Sequence, residues 1–234
     1  TKNDLFPVFL KFSHEHSKNY DSYVEFTKRF DIFVENFFTG VEAGVIDTNS
    51  NLEGLSPYMD ITREEFKNLV GLGKKRMPND LKTDVETFSS TMLGDANDID
   101  YNELGLVSPV KNQGQCGSCW TFGATGAIES ALAIQLKNQG KPITFLNLSR
   151  QQLVDCEKLD GDDGCNGGDE RHAYTYLKTQ GITTDELYPY EAKNGSCRIQ
   201  GKKTFAKTTG YLEIPPKQED QMAQALNSNG PLTI

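Results

Sequence analysis

The stretch Gln113-Gly114-Gln115-Cys116-Gly117-Ser118-Cys119-Trp120 holds residue types at a spacing that could do chemistry. It runs straight into an alanine-rich segment, Thr121 to Leu136, whose composition predicts a helix. A cysteine at the first turn of a helix faces unpaired backbone N–H groups and the positive end of the helix dipole, both of which favour thiolate over thiol. Cys119 is therefore a candidate nucleophile. Gln113 carries a side-chain N–H that could join a backbone N–H near Cys119 in stabilising an oxyanion during acyl transfer. Gly114 and Gly117 allow the backbone to turn tightly enough for this. Two other readings of the cysteines compete. A Cys-x-x-Cys at a helix start can be a redox pair, but there the tryptophan precedes the motif, whereas Trp120 follows it. Cys116, Cys119, Cys156 and Cys165 could hold zinc, yet a second Cys-x-x-Cys knuckle is missing.

With Lys111-Asn112 before it, this stretch resembles the active-site segment of papain-like cysteine proteases, the cathepsin family. Gly164-Cys165-Asn166-Gly167-Gly168, Tyr188-Pro189-Tyr190, Cys197-Arg198 and Gly210-Tyr211 to Pro215 continue the resemblance. It implies that Cys119 attacks a peptide carbonyl and forms an acyl-enzyme that water hydrolyses, with Gln113 stabilising the oxyanion. It also implies substrate-binding roles for Gly117, Trp120, Gly167 and Gly168, the last two forming an open backbone edge that an extended peptide can approach. Asp169 and Glu170 stand where the family usually carries apolar or aromatic residues, so this wall of the cleft is expected to be acidic and to favour polar or basic side chains. The implied disulfides are Cys116 to Cys165 and Cys156 to Cys197, each worth about 4 kcal/mol in the chain-entropy model, with Cys119 outside both. The resemblance further implies a histidine base, steadied by an asparagine, roughly 130–150 residues after the cysteine. That window opens beyond Ile234. His14, His16 and His172 do not suit the role, and His172 is expected on the surface of its helix, so these 234 residues alone are expected not to turn over substrate. No cofactor or metal is implied. Asp160-Gly161-Asp162-Asp163-Gly164 lacks the glutamate a calcium loop needs at its twelfth position, where Arg171 stands.

The elements around these residues follow from pattern. Phe26, Phe30, Phe33 and Phe37 fall on one helical face, in a helix that Gly40 should end, and Glu25 with Arg29 reads as an i,i+4 surface pair. Glu25, Arg29, Phe33 and Asn36 also resemble the long-helix motif of the family's inhibitory propeptides, with Phe9, Phe12, Lys18 and Tyr20 upstream in keeping. Gly54 to Asp60 resembles a second propeptide motif, and Thr62-Arg63-Glu64-Glu65 is a capping box, with Ile61 and Phe66 placed as its staple, for a helix stopping at Gly71. Gly73 to Asn97 reads as an extended segment containing a processing site, and Asp100-Tyr101 with Gly105 to Val110 resembles the start of a mature enzyme. Ser149 with Gln152 forms another capping box. Helices are expected over Asp169–Thr179 and Gln218–Leu226, and a strand from Gly230 to Ile234. The fold class is thus α+β: a helical inhibitory propeptide over residues 1–96, then over 97–234 the mainly helical left domain of a papain-like fold with only the start of its right β-barrel domain.

Composition narrows the partners. The net charge is −9, and acidic residues outnumber basic ones on both sides of residue 97, which argues against nucleic acid or an anionic membrane as partner. No apolar run reaches the length of a membrane span. All five cysteines lie after position 115, an odd number that fits two disulfides and one thiol in a lysosomal, vacuolar or secreted protein. Asn147-Leu148-Ser149 and Asn194-Gly195-Ser196 are glycosylation sequons if the chain is secreted. The implied partners are peptide or protein substrates and the chain's own propeptide lying in the cleft, with the enzyme a monomer. A different class remains: a non-catalytic inhibitor or pseudoenzyme that binds other papain-like proteases. Gln113 and Cys119 favour the enzyme.

Overall fold

Phenylalanine spacing builds the first of the two units into which the computed structural model divides, Thr1–Lys67 and Asn68–Ile234. Residues 1–48, 55–69, 86–88, 98–158 and 162–234 are described. In the first unit, α1 (Phe6–Glu15) and α2 (Tyr23–Glu42) close on each other through Phe9, Phe12, Phe30, Phe33 and Phe37, all buried. Phe9 touches the rings of Phe12, Tyr20, Phe26, Phe30 and Phe33, so it is the centre of this core. Ser22 caps α2 by accepting from the Glu25 N–H at 3.1 Å.

Gly40 does not end α2, contrary to expectation: the helix runs on to Glu42 and the chain reverses at Gly44, whose φ is +71°. Gly40 instead lies against Ile46: a Cβ there would sit 2.6 Å from Ile46 Cδ1, so that side chain would have to shift. The Glu25–Arg29 pair is also more than a surface pair. Arg29 donates to Glu25 at 2.6 Å, to Glu65 at 2.8 Å and to the Asp60 carbonyl at 3.1 Å, while Asn36 donates to the carbonyls of Met59 and Ile61. These side chains hold the segment that opens α3 (Arg63–Leu69). Within it both arms of the capping box form, Glu65 N–H to Thr62 and Thr62 N–H to Glu65. Asp60, buried, accepts from Lys18 and Tyr20. Gly54 and the expected stop at Gly71 lie outside the described residues.

In the second unit the 20-residue α4 (Cys119–Asn138) is buried along much of its length. Its small residues let neighbours approach closely. Trp120, Ala124 and Ile128 pack with Leu148, with Leu153 of α5 (Arg150–Cys156), with Ala173 and Leu177 of α6 (Glu170–Gln180), and with Ile182. Burying each such Leu or Ile contributes about 2 kcal/mol. Inside this core Glu129 is fully buried and accepts from the Leu148 N–H, Arg150, Lys111 and Ser108. A buried carboxylate is tolerable only with such a set of donors.

The Ser149 box is half-made: Ser149 accepts from the Gln152 N–H, but the Gln152 side chain turns away to Gly181 O and Thr183 N. Among the described residues the strands are β1 (Glu86–Thr87) and β2 (Leu212–Glu213), paired in parallel, with isolated bridges Leu148–Thr184 and Ile182–Ala206. The last helix is α7 (Glu219–Asn229). Gly230–Ile234, expected as a strand, is irregular, because no described strand pairs with it. Most of the segment 73–97, Asp160-Gly161 and part of the expected processing region lie outside the described residues.

Candidate active site

Cys119 is the first residue of α4 and belongs to neither disulfide; these join Cys116 to Cys165 and Cys156 to Cys197. The first bridge ties the loop before α4 to the glycine loop, and Gly117 N–H adds a 2.7 Å hydrogen bond to Cys165 O. Gln113 is fixed on both sides. Its Nε2 donates to Cys116 O at 2.8 Å, and its carbonyl accepts from the Tyr190 hydroxyl at 2.8 Å. Tyr190 also bonds Ser118 at 2.6 Å and packs edge-on against Phe122.

A helix start alone does not make Cys119 a thiolate. Partial burial pushes its thiol up and the negative charge of Glu170 adds to that, outweighing the Trp120 and Cys119 N–H groups that pull it down. The residue is nonetheless exposed, so its sulfur is within reach of a substrate.

Trp120 is buried, donates from Nε1 to Gly164 O at 3.1 Å, and lies directly beneath Gly168. A Cβ on Gly168 would sit 2.5 Å from the indole. The structural need for glycine at 168 is therefore close packing on Trp120, in addition to any need for an open face. Gly167, with φ +117°, is buried and takes a hydrogen bond from Asp163 N–H, whereas Gly168 is exposed.

The two carboxylates after the glycines differ. Asp169 caps α6 through the Arg171 N–H and is clasped by the Arg171 guanidinium at 2.7 Å and 2.9 Å, which holds its carboxyl below the usual range. Glu170 is partly buried, and burial, with Asp169 nearby, raises its carboxyl.

His172, expected at the surface, is buried instead, with Nδ1 3.1 Å from Asp162 Oδ1. The same Asp162 oxygen accepts from the Asp169 N–H at 3.0 Å. Burial pushes the Asp162 carboxyl up to about 6, although a hydrogen bond with buried Glu157 and the Asp169 N–H work against it. Sequence reasoning missed this cluster and the role of Tyr190. Tyr188-Pro189-Tyr190 was visible only as part of a resemblance, and nothing local signals which hydroxyl reaches Gln113. His14 lies on α1, and His16 contacts Leu55 O within the first unit.

The fold and this arrangement define a class, and comparison with known proteins agrees. Residues 96–234 match the model of the papain family cysteine proteases, and the chain belongs to that family. Among its relatives, a cathepsin L-like peptidase of Aedes aegypti is 36% identical over 95% of this chain and 67% of its own length. Procathepsin L of Mus musculus is 38% identical over 77% of this chain and 51% of its own length. Digestive procathepsin L2 proteinase from the Tenebrio molitor larval midgut superimposes with a TM-score of 0.77 at 30% identity, covering 96% of this chain and 72% of that one. The fold is thus the α+β papain type, and the chain spans about half to two thirds of the length of the curated relatives it matches.

Proposed function

We propose that this protein is the zymogen of a cysteine endopeptidase, with residues 1–96 as inhibitory propeptide and 97–234 carrying the nucleophile. The observation that carries this reading is the exposed Cys119 thiol at the head of a buried 20-residue helix, outside both disulfides, with Gln113 fixed by Cys116 and Tyr190. Cys119 attacks the peptide carbonyl, and the oxyanion is met by the Gln113 amide and the N–H of Cys119. The carbonyl carbon then expels the amine, and water hydrolyses the thioester. Gly117 keeps the turn tight, and Trp120 props the Gly168 edge on which the substrate backbone lies, with Asp169 and Glu170 at its end.

Because burial and Glu170 both disfavour the Cys119 anion, the reaction needs a neutral base that takes the thiol proton, stands beside the thiolate as a cation and later protonates the leaving amine. We assign that role to a histidine other than His14, His16 and His172, since His172 is turned to Asp162 inside the protein. The substrates are peptides or proteins, no cofactor takes part, and the enzyme acts as a monomer. The secretory pathway, toward lysosome, vacuole or exterior, fits the two disulfides. No described helix is long and apolar enough to cross a membrane.

The test is hydrolysis of fluorogenic peptides by the protein produced from its gene, beside Cys119→Ala and beside residues 97–234 alone. Activity should vanish with Cys119→Ala, by roughly the factor of a million seen when one member of such a unit is removed. Residues 97–234 alone should not turn over. Cys119-independent hydrolysis would refute the nucleophile, and turnover by 97–234 alone would return the base to a histidine within them.

A further inference from the structure

Two sequons lie outside the active site, Asn147-Leu148-Ser149 and Asn194-Gly195-Ser196, and the fold treats them differently. Such a motif needs its hydroxyl as well as its asparagine, and it works from a surface loop. In the first, Asn147 is exposed, but Leu148 and Ser149 are fully buried. The Ser149 hydroxyl is engaged twice: it accepts from the Gln152 N–H as the cap of α5 and donates to Tyr188 O at 2.7 Å. In the second, Asn194, Gly195 and Ser196 are all exposed, and the Ser196 hydroxyl has no partner among the described residues.

The amide of Asn194 is divided between the fold and the solvent. Its Oδ1 accepts from the Cys165 N–H at 2.7 Å, in a space that Gly164 leaves open, since a Cβ there would collide with that oxygen. Its Nδ2 has no partner among the described residues. An asparagine amide carries an acceptor oxygen and two N–H donors, so a sugar can replace one hydrogen on Nδ2 while Oδ1 keeps its bond. The main chain on either side is tied down. Lys193 O accepts from Gln151 Nε2 at 2.7 Å, Gly195 N–H donates to buried Asp155 at 2.8 Å, and Cys197 is bonded to Cys156. Asn194 therefore stands on a fixed stretch of backbone with a nitrogen that the fold does not use. A sugar on it breaks no hydrogen bond of the protein.

We propose that Asn194 carries an N-linked oligosaccharide and that Asn147 does not. The donor is a lipid-pyrophosphate-linked oligosaccharide. A bond forms between Nδ2 and the anomeric carbon, the bond from that carbon to the pyrophosphate oxygen breaks, the lipid pyrophosphate leaves, and the displaced Nδ2 proton goes to a base of the transferring enzyme. The order of events during folding favours Asn194 too. The bond that draws Ser149 into its cap spans three residues, whereas the bridge that sets the 194 loop closes a separation of 41 between Cys156 and Cys197. The inference rests on the secretory reading, because the sugar donor and the two disulfides belong to one compartment. The added group is bulky and hydrophilic, which suits a loop whose flanking residues are exposed.

The experiment maps peptides of the protein, produced from its gene in a eukaryotic cell, by mass spectrometry after treatment with a peptide N-glycosidase in heavy-oxygen water. That enzyme leaves heavy-oxygen aspartate wherever an asparagine bore a sugar. Position 194 is expected to convert, and position 147 to remain asparagine. Ser196→Ala leaves Asn194 and its bond to Cys165 in place, and it should abolish the conversion and lower the intact mass by one oligosaccharide. The same digest made without reductant reports the two disulfides. Disulfides formed with Asn194 bare, conversion at 147, or conversion at 194 that survives Ser196→Ala would each overturn the inference and leave the secretory and peptidase readings intact. A bare Asn194 in a protein whose disulfides have not formed would remove the inference together with the secretory reading.

Discussion

Gly168 has no side chain, and the Trp120 indole fills the space where one would begin. The exposed backbone edge is thus set by a buried aromatic ring, itself anchored by a hydrogen bond to Gly164 O. Adding one methyl group must move either the indole, which is locked in the core, or the edge. Gly168→Ala is therefore expected to cost about 1–3 kcal/mol of stability in the second unit, the usual range for an overpacked site. It should also lower kcat/KM for peptides more than it alters the alkylation rate of Cys119. Thermal unfolding and iodoacetamide labelling of the same samples check this; equal loss in both readouts would mean that the thiol, and not the edge, had been disturbed. By the same reasoning Gln113 is a stiff donor, since Cys116 O and the Tyr190 hydroxyl hold it from opposite sides.

At the scale of elements, the two units respond differently to mild acid. In the first, Arg29 and the Thr62 N–H hold the Glu65 carboxyl down at about 2. A depressed carboxylate stabilises above its unfolded value and loses that contribution only as pH falls through the folded one, so nothing is lost between pH 7 and 5. In the second, Asp162 is raised to about 6 from 3.8. The folded state then binds this proton more tightly than the unfolded chain, and the stabilisation appears as pH falls through about 6 and is complete below about 4. Acidification from pH 7 to 4 should strengthen the α5–α6 region by on the order of 2 kcal/mol, and Asp162→Asn should flatten that rise. Urea unfolding followed by hydrogen exchange at Ala173 and Leu177 measures it, and a stability that falls over this range would contradict it.

The sequence showed the cysteine at the head of α4, the Thr62–Glu65 box and the helix capped by Asp169, because in each the partners are within a few residues of one another. Asp162, Glu157 and His172 meet only after the loop between α5 and α6 closes, so their proximity has no local signature. The same limit explains Gly40, where the side chain it must clear, Ile46, arrives after a chain reversal. It also explains Gln152, which leaves its own cap for Gly181 O and Thr183 N.

For the whole molecule, each unit has its own core and its own reinforcement. The first relies on stacked and edge-on phenylalanines around Phe9, and the second on the Trp120–Leu153–Leu177 cluster and two disulfides. Phe9→Ala should therefore destabilise the first unit by about 3–5 kcal/mol. Reduction of the disulfides should weaken only the second, as every cysteine lies after position 115. Calorimetry with domain-resolved hydrogen exchange would show each change in one unit; loss of protection in both from Phe9→Ala would mean that they fold as one.

The short parallel pair β1–β2 bears on how the chain can diverge over time. Glu86 and Thr87 lie in register with Leu212 and Glu213, and Phe88 N–H reaches Glu213 O at 3.0 Å, so main-chain groups join the two strands. Peptide groups are the same in every residue, which means that the main-chain pairing itself survives replacement of the side chains at 86–88. Proline at 88 is the exception, because it has no N–H to give. Lineages of this protein that drift in these residues can therefore keep the main-chain pairing.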